Sequence, residues 1–154
     1  MYRILFVCHG NICRSPMAEF IFNDMLKKRG LTGAYAESAA TSTEEIGNGV
    51  HPGTARILRR LGIDYSVKRA RQMTRSDCEK YDLIIGMDSA NIRNIRRIAG
   101  QDKYDGRIFR LLDFTDRPGD LSDPWYTGDF ESTYNDVREG CEGLIKQLHS
   151  EGVL

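Results

Sequence analysis

The sequence lacks long apolar segments, internal repeats and low-complexity stretches, and it carries no net charge at neutral pH. Without a long apolar segment the chain has no transmembrane helix, and without repeats it is not a solenoid or an array. We expect no nucleic acid and no membrane among the partners of this chain.

The chain has four cysteines and three histidines. The four cysteines do not have the spacing of a disulfide framework, and no secretory signal is recognisable, which favours a reducing cytoplasm. The three histidines, His9, His51 and His149, lie too far apart for a metal-binding motif, so we expect neither a metal nor another cofactor. The 154 residues, 40% of them hydrophobic, suffice for one domain spanning residues 1–154.

Charge is unevenly distributed although the total is zero. Residues 51–75 hold seven Lys/Arg against one Asp, whereas residues 113–142 hold nine Asp/Glu against two Arg. Most of these side chains are expected on solvated helix faces. Part of the basic segment is also a candidate for attracting anionic substrates.

Short apolar runs alternate with amphipathic stretches, which predicts an α/β domain of three layers with a four-stranded parallel sheet between helices. The predicted strands cover residues 4–7, 34–38, 68–72 and 82–86, with a further short strand end at 108–112. Helices are predicted from Pro16 to near Gly30, from Pro52 to Gly62, from Asp88 as N-cap to Gly100, and from about Phe130 to His149. Residues 114–128 are predicted to form an irregular, functional loop.

The segment that follows the first strand is the most informative part of the sequence. Gly10 and Asn11 are the residue types that most readily accept positive φ, so the backbone there can form a nest of N–H groups that attracts an anion. Ser15 and Pro16 fit the N-cap and first residue of a helix whose positive dipole end points into that nest. The sequence therefore predicts a phosphate-binding loop after strand 1.

Cys8 lies at the mouth of this loop, beside the helix start. Such surroundings favour a nucleophilic thiolate. Arg14, six residues on, offers two parallel N–H donors to two oxygens of a phosphate. Together they predict phosphoryl transfer to cysteine; the alternative, that Cys8 is only a small buried residue at a strand end, is disfavoured by the loop around it.

Two segments resemble those of the low-molecular-weight protein tyrosine phosphatases. The first is the signature Val7-Cys8-His9-Gly10-Asn11-Ile12-Cys13-Arg14-Ser15-Pro16, and the second is Asp123-Pro124-Trp125-Tyr126, which resembles the segment carrying the general acid. Other similar segments lie between them, so the resemblance spans the chain. It implies hydrolysis of phosphotyrosine in proteins or peptides through a phosphocysteine intermediate, with inorganic phosphate or vanadate as inhibitors.

The resemblance also implies roles for individual residues. The phosphate would be bound by His9, Gly10, Asn11, Ile12, Cys13, Arg14 and Ser15. Asn11 would hold the loop in its strained form with help from Ser38, and Ser15 would donate its hydroxyl proton to the Cys8 thiolate. Asp123 would protonate the leaving phenolate and then act as the base for the water that hydrolyses phosphocysteine.

Two further residues complete the implied site, and Cys13 has a second implied role. Trp125 and Tyr126 would form an aromatic wall against the substrate ring. Cys13 resembles the partner that traps an oxidised nucleophile as a reversible disulfide, the alternative being an inert neighbour.

Two positions depart from the family pattern. Lys68 stands where relatives usually have a His in the network that supports the loop, and because Lys cannot accept a hydrogen bond, that network is in doubt. Glu44 stands where many relatives have an aromatic residue on the other wall of the cleft. We therefore expect the groove to be more open and more acidic at Glu44.

Individual residues distinguish this chain from proteins with other activities on the same scaffold. An arsenate reductase should need further redox cysteines in a mobile segment, whereas Cys78 and Cys141 fall in predicted helices. Arginine phosphatases resemble this chain but have Thr in place of Ile12 and lack the aromatic pair that begins with Trp125. A catalytically silent phosphate-binding module is disfavoured because the cysteine, the arginine and the acid are all present.

Overall fold

A parallel four-stranded sheet organises the computed structural model, which describes residues 1–154. Its strands are β1 (Tyr2–Cys8), β2 (Ala34–Ala40), β3 (Leu83–Gly86) and β4 (Ile108–Arg110). They lie in the order β2-β1-β3-β4, and every pair is parallel. The predicted α/β class, with a four-stranded parallel sheet flanked by helices, is confirmed.

The prediction of a strand at 68–72 was wrong, and the fourth strand is β4, where only a short strand end was predicted. Residues 68–72 contribute one isolated bridge, between Ala40 and Gln72. Their other backbone groups are used elsewhere, since the Ala70 carbonyl accepts from Gly47 and the Arg71 N–H donates to the Asn11 side chain. The segment therefore braces the phosphate loop instead of extending the sheet.

The two faces of β1 are covered by different helices because successive side chains of a strand point to opposite faces. Ile4, Phe6 and Cys8 belong to a core cluster with residues of α1 (Arg14–Lys28) and α6 (Phe130–Ser150). Leu5 and Val7 belong to a second cluster, with residues of α3 (Asp77–Lys80) and α4 (Ser89–Ala99). Cys8 therefore faces the helix that begins at the end of its own loop.

The start of α1 differs from the prediction. The helix begins at Arg14 rather than at Pro16, and no side chain caps it. Ser15 is not the N-cap because its hydroxyl is used inside the loop, by Cys8 and Asn11. The other predicted starts are confirmed: α2 (Pro52–Arg60) begins at Pro52, and Asp88 caps α4 by accepting from the Asn91 N–H at 2.8 Å.

The strand end predicted at 108–112 stops at Arg110, and a 3-10 helix follows at Leu111–Phe114. The loop predicted at 114–128 is irregular from 115 to 123, as expected, but then contains the one-turn helix α5 (Pro124–Thr127). Asp123 begins α5 as its N-cap, with one carboxylate oxygen accepting from the Trp125 N–H at 3.1 Å. The predicted acid and the predicted aromatic wall therefore belong to one small structural unit.

The sheet order places the end of β1 at a functional position. From β1 the chain passes to β2 on one side and returns to β3 on the other, so the strand connections diverge beyond the carboxyl ends of β1 and β3. Ligands of open α/β sheets bind in the crevice at such a switch point. No helix of the structure has the length and apolar content that crossing a membrane requires.

Candidate active site

Asn11 holds the turn of the phosphate loop. It is the only non-glycine residue with positive φ, at 59°, and it is buried; Gly10, the other residue expected to accept positive φ, does not adopt it. Its amide nitrogen donates to Ser15 Oγ at 2.8 Å and to Ser38 Oγ at 2.9 Å, and its amide oxygen accepts from the Arg71 N–H at 3.2 Å. These three bonds offset the cost of the left-handed conformation.

The backbone of the loop presents unused donors. The N–H groups of Gly10, Ile12, Cys13, Arg14 and Ser15 donate to no group of the protein, although the residues from Ile12 onward are buried. A buried N–H without an acceptor is costly, and native structures rarely contain several together. An array of such groups at the N-terminus of α1 is a site for an anion.

The Cys8 sulfur lies within this array. Its thiol is buried, Asn11 donates its backbone N–H to Sγ at 3.3 Å, and Ser15 Oγ lies 3.0 Å from Sγ. Because the Arg71 N–H must meet an oxygen, the Asn11 amide nitrogen points at Ser15 Oγ, which leaves the hydroxyl proton of Ser15 directed at the sulfur. Two donors converging on sulfur stabilise a thiolate.

A relay of polar side chains continues behind the loop. Ser38 Oγ accepts from Asn11 and donates to Glu19 Oε1 at 2.6 Å. Lys68 Nζ lies 3.3 Å from the same carboxylate oxygen and donates to the Ser38 carbonyl at 2.9 Å. The supporting network that Lys68 put in doubt is therefore present, because Glu19 is the acceptor and Lys68 needs only to donate.

Arg14 is held by one edge of its guanidinium. Nη1 donates to Asp88 Oδ2 at 2.9 Å and to the Leu121 carbonyl at 2.7 Å. Nη2 makes only a long contact of 3.4 Å with Asp123 Oδ2, and Nε donates to no protein group. The edge formed by Nε and Nη2 is therefore free to offer two parallel donors to two oxygens of a phosphate.

The cleft above the loop has a volume of about 460 Å³ and brings the predicted site residues together. Cys8, Arg14 and Asp123 all line it, as do the wall residues Trp125, Tyr126 and Glu44. Asn11, Ser15 and Ser38 are buried behind its surface and do not line it. Asp123 thus lies in one cavity with the Cys8 sulfur, which is what a proton donor to the leaving group requires.

His51 connects the phosphate loop to the aromatic wall. Its backbone N–H donates to the Ile12 carbonyl at 2.9 Å, and its ring nitrogen Nδ1 accepts from the Gly53 N–H, which caps α2. The imidazole stacks on Phe130 with ring centroids 5.0 Å apart and meets the edge of Trp125 at 5.7 Å. The position of Trp125 is therefore tied to the loop through one side chain.

Sequence reasoning did not assign Glu19, Asp88 or His51 to the site. Asp88 could have been found from topology, since it follows β3, whose carboxyl end lies beside that of β1. Glu19 lies one helical turn after Ser15, which was a weaker signal. Nothing in the sequence singles out His51 beyond its place before Pro52.

The remaining cysteines differ in position. Cys13 lines the cleft, and burial together with the neighbouring Cys8 raises the pKa of its thiol to about 12. Cys78 and Cys141 lie in the two core clusters and do not line the cleft. Burial raises the pKa of both thiols. All four cysteines are free thiols.

Comparison with known proteins gives one family. The family model for low molecular weight phosphotyrosine protein phosphatase matches residues 3–154. The low molecular weight protein-tyrosine-phosphatase YfkJ of Bacillus subtilis is 46% identical over 154 residues, which cover 98% of either chain. PtpA of Staphylococcus aureus (strain Newman) is 37% identical over 149 residues, covering 96% of this chain and 94% of that one.

Solved structures similar to this one belong to the same family. The crystal structure of YfkJ from Bacillus subtilis superposes with a TM-score of 0.93 at 45% identity, covering 98% of this chain and 96% of that one. The low molecular weight protein tyrosine phosphatase SP-PTP from Streptococcus pyogenes gives a TM-score of 0.85 at 42% identity, covering 96% and 93%.

Proposed function

This chain belongs to the low molecular weight phosphotyrosine protein phosphatase family and is a protein-tyrosine-phosphatase, and from that premise we propose that it hydrolyses phosphotyrosine through a phosphocysteine intermediate on Cys8. The observation that carries the mechanism is the set of five loop N–H groups without a protein acceptor, together with the free edge of Arg14. They surround the Cys8 sulfur with donors for a phosphate dianion.

In the first step the Cys8 thiolate attacks phosphorus. The new S–P bond forms as the P–O bond to the phenol breaks, and Asp123 gives its proton to the departing phenolate oxygen. The loop N–H groups and the Nε and Nη2 donors of Arg14 bind the phosphoryl oxygens, where negative charge is spread in the transition state. Asp123 lines the same cleft as the Cys8 sulfur, which places its carboxyl where it can meet the leaving oxygen.

In the second step water hydrolyses phosphocysteine. Asp123, now ionised, accepts a proton from the attacking water, the S–P bond breaks with its electron pair returning to sulfur, and inorganic phosphate leaves. Asp123 in the free enzyme accepts weakly from Arg14 Nη2. Bound phosphate takes that donor, so the carboxyl is released toward the leaving group.

The aromatic wall supports the choice of substrate. Trp125 and Tyr126 are 57% and 84% exposed in the cleft, where they can pack on a phenyl ring. We therefore propose phosphotyrosine-containing proteins or peptides as partners and phosphate or vanadate as inhibitors. We also propose a cytoplasmic location, because the reaction needs Cys8 reduced.

The test is parallel assay of phosphotyrosine, phosphoserine, phosphoarginine and arsenate, with Cys8→Ser as the blank. We expect phosphotyrosine to be hydrolysed at the highest kcat/KM. Preferred turnover of phosphoarginine, or thiol-dependent reduction of arsenate, would replace the proposal by the corresponding activity on the same scaffold. Neither Cys78 nor Cys141 lies at the cleft to serve arsenate reduction.

A further inference from the structure

The side chains that line the active-site cleft carry mostly one sign of charge. Four carboxylates line it, those of Glu44, Glu45, Asp88 and Asp123. Arg14 is the only Lys or Arg that does so, and it is 2% exposed and already paired with two of those carboxylates. None of the seven basic residues between 51 and 75 lines the cleft.

Glu44 and Glu45 form an acidic rim on the side of the cleft that follows β2. The Glu44 carboxylate is hydrogen-bonded to His9 Nε2 at 2.9 Å, and its side chain is 67% exposed. The Glu45 side chain packs beside Gly10, and its carboxylate accepts from the Asn48 amide at 2.5 Å. Both carboxylates are thus anchored to the phosphate loop or its neighbours while facing solvent at the mouth of the cleft.

A protein substrate presents to this cleft both a phosphate dianion and the charged side chains next to the phosphotyrosine. Its phosphate dianion goes to the base, where the loop N–H groups and Arg14 supply the donors. Side chains that flank the phosphotyrosine remain at the mouth, within reach of the acidic rim, and no Lys or Arg other than the buried Arg14 lines the cleft. A flanking Lys or Arg is attracted there, and a flanking Asp or Glu is repelled.

We propose that the acidic rim makes this enzyme select phosphotyrosine segments with Lys or Arg next to the phosphotyrosine. This inference rests on the proposed function and names Glu44 and Glu45 as specificity-determining residues. Exposed charge pairs contribute weakly, so each matched charge should change kcat/KM by about two- to fivefold at low ionic strength.

The experiment uses two phosphotyrosyl peptides that differ only in carrying Lys or Glu on both sides of the phosphotyrosine, with free phosphotyrosine as reference. The wild type should prefer the Lys peptide by about fivefold or more in kcat/KM at low salt, and the preference should shrink at high salt. Glu44→Gln should lower the ratio, Glu44→Lys should invert it, and Glu151→Gln, an exposed acid outside the cleft, should leave both ratio and activity unchanged.

The possible outcomes separate the two claims. A wild-type ratio near one at low salt, or a ratio that Glu44→Lys leaves unaltered, overturns the inference while free phosphotyrosine is still hydrolysed. If the wild type does not hydrolyse free phosphotyrosine, the proposed function is overturned instead. Because the wild-type ratio is measured on the native chain, it can overturn the inference even if Glu44→Lys does not fold.

Discussion

The phosphate loop and the segment that carries Asp123 meet at one cleft but are held in opposite ways. From Asn11 to Ser15 every loop residue is buried, whereas Trp125 and Tyr126 are 57% and 84% exposed. The loop carbonyls of Cys8, His9 and Ile12 each accept from a backbone N–H of another segment. α5 is one turn long, and only Pro124 of it is buried.

The difference corresponds to what each part is proposed to do. Donors that stabilise a transition state act best when they are already in place, so the loop is braced by Asn11, Ser38 and their partners. The wall of α5 must receive side chains of varying shape and release them. Few buried contacts are the physical basis of such local mobility.

The largest expected effect comes from removing the nucleophile at the rigid side. Cys8→Ser should abolish turnover but leave vanadate or phosphate binding, because the N–H array and Arg14 remain. Turnover is measured with phosphotyrosine and binding by calorimetry. Turnover near that of the wild type would end the assignment of Cys8.

Arg14→Lys should be nearly as damaging, with kcat lowered by about 10²- to 10³-fold or more, since an ammonium cannot make the bidentate contact. Loss of the contacts with Asp88 and Leu121 should also weaken the attachment of the α4 N-cap and of the segment before Asp123 to the loop. Arg56→Lys, a substitution at an exposed position of α2, is the matched control. Equal kcat in Arg14→Lys and in the control would show that Arg14 does not bind the phosphoryl group.

Asp123→Asn tests the proposed acid in the α5 segment by comparing substrates whose leaving groups differ in pKa. Hydrolysis of phosphotyrosine, whose phenol has a pKa of about 10, should fall by about 10²- to 10⁴-fold, and that of an aryl phosphate with an acidic phenol far less. The variant should show a steep dependence of rate on leaving-group pKa where the wild type is flat. If both substrates slow by one factor, Asp123 is not the acid, and the other carboxylates that line the cleft, those of Glu44, Glu45 and Asp88, become the candidates.

Lys68→Met examines the support behind the rigid loop. It leaves the half-buried Glu19 carboxylate without its cation, which should destabilise the fold by about 1–3 kcal/mol and lower kcat more than it raises KM. Urea unfolding and steady-state kinetics measure the two effects. The double variant with Glu19→Gln should recover part of the stability, and a single variant as stable as the wild type would show that the pair does not support the loop.

Trp125→Ala should have the smallest effect and should separate the two regions. The KM for phosphotyrosine should rise by roughly two- to tenfold with loss of ring packing, while the inhibition constant of inorganic phosphate stays unchanged. A parallel loss of phosphate affinity would mean that the loop depends on the wall through His51. His51→Ala, measured in the same way, would then give the same result.

Local sequence patterns were enough to predict much of the fold. The apolar run before Cys8, the proline at position 52 and the glycines at 30, 62 and 100 predicted strand and helix limits that the structure contains. The prediction of a strand at 68–72 failed because backbone groups of this segment pair with Asn11 and with residues 47–48, which lie far away in sequence. The prediction that Ser15 caps α1 failed because its hydroxyl contacts the Cys8 sulfur instead.

The sequence by itself determined the α/β class and the position of the phosphate loop with its candidate nucleophile and arginine, because these depend on residue types at short spacing. The candidate acid came from the resemblance of its segment to the family. Only the tertiary structure decided which edge of Arg14 is free, that Glu19 and Lys68 together support the loop, and that Glu44 and Glu45 form an acidic rim. Those arrangements depend on hydrogen bonds and charge pairs between residues up to 109 positions apart, and such partners are chosen by packing rather than by local pattern.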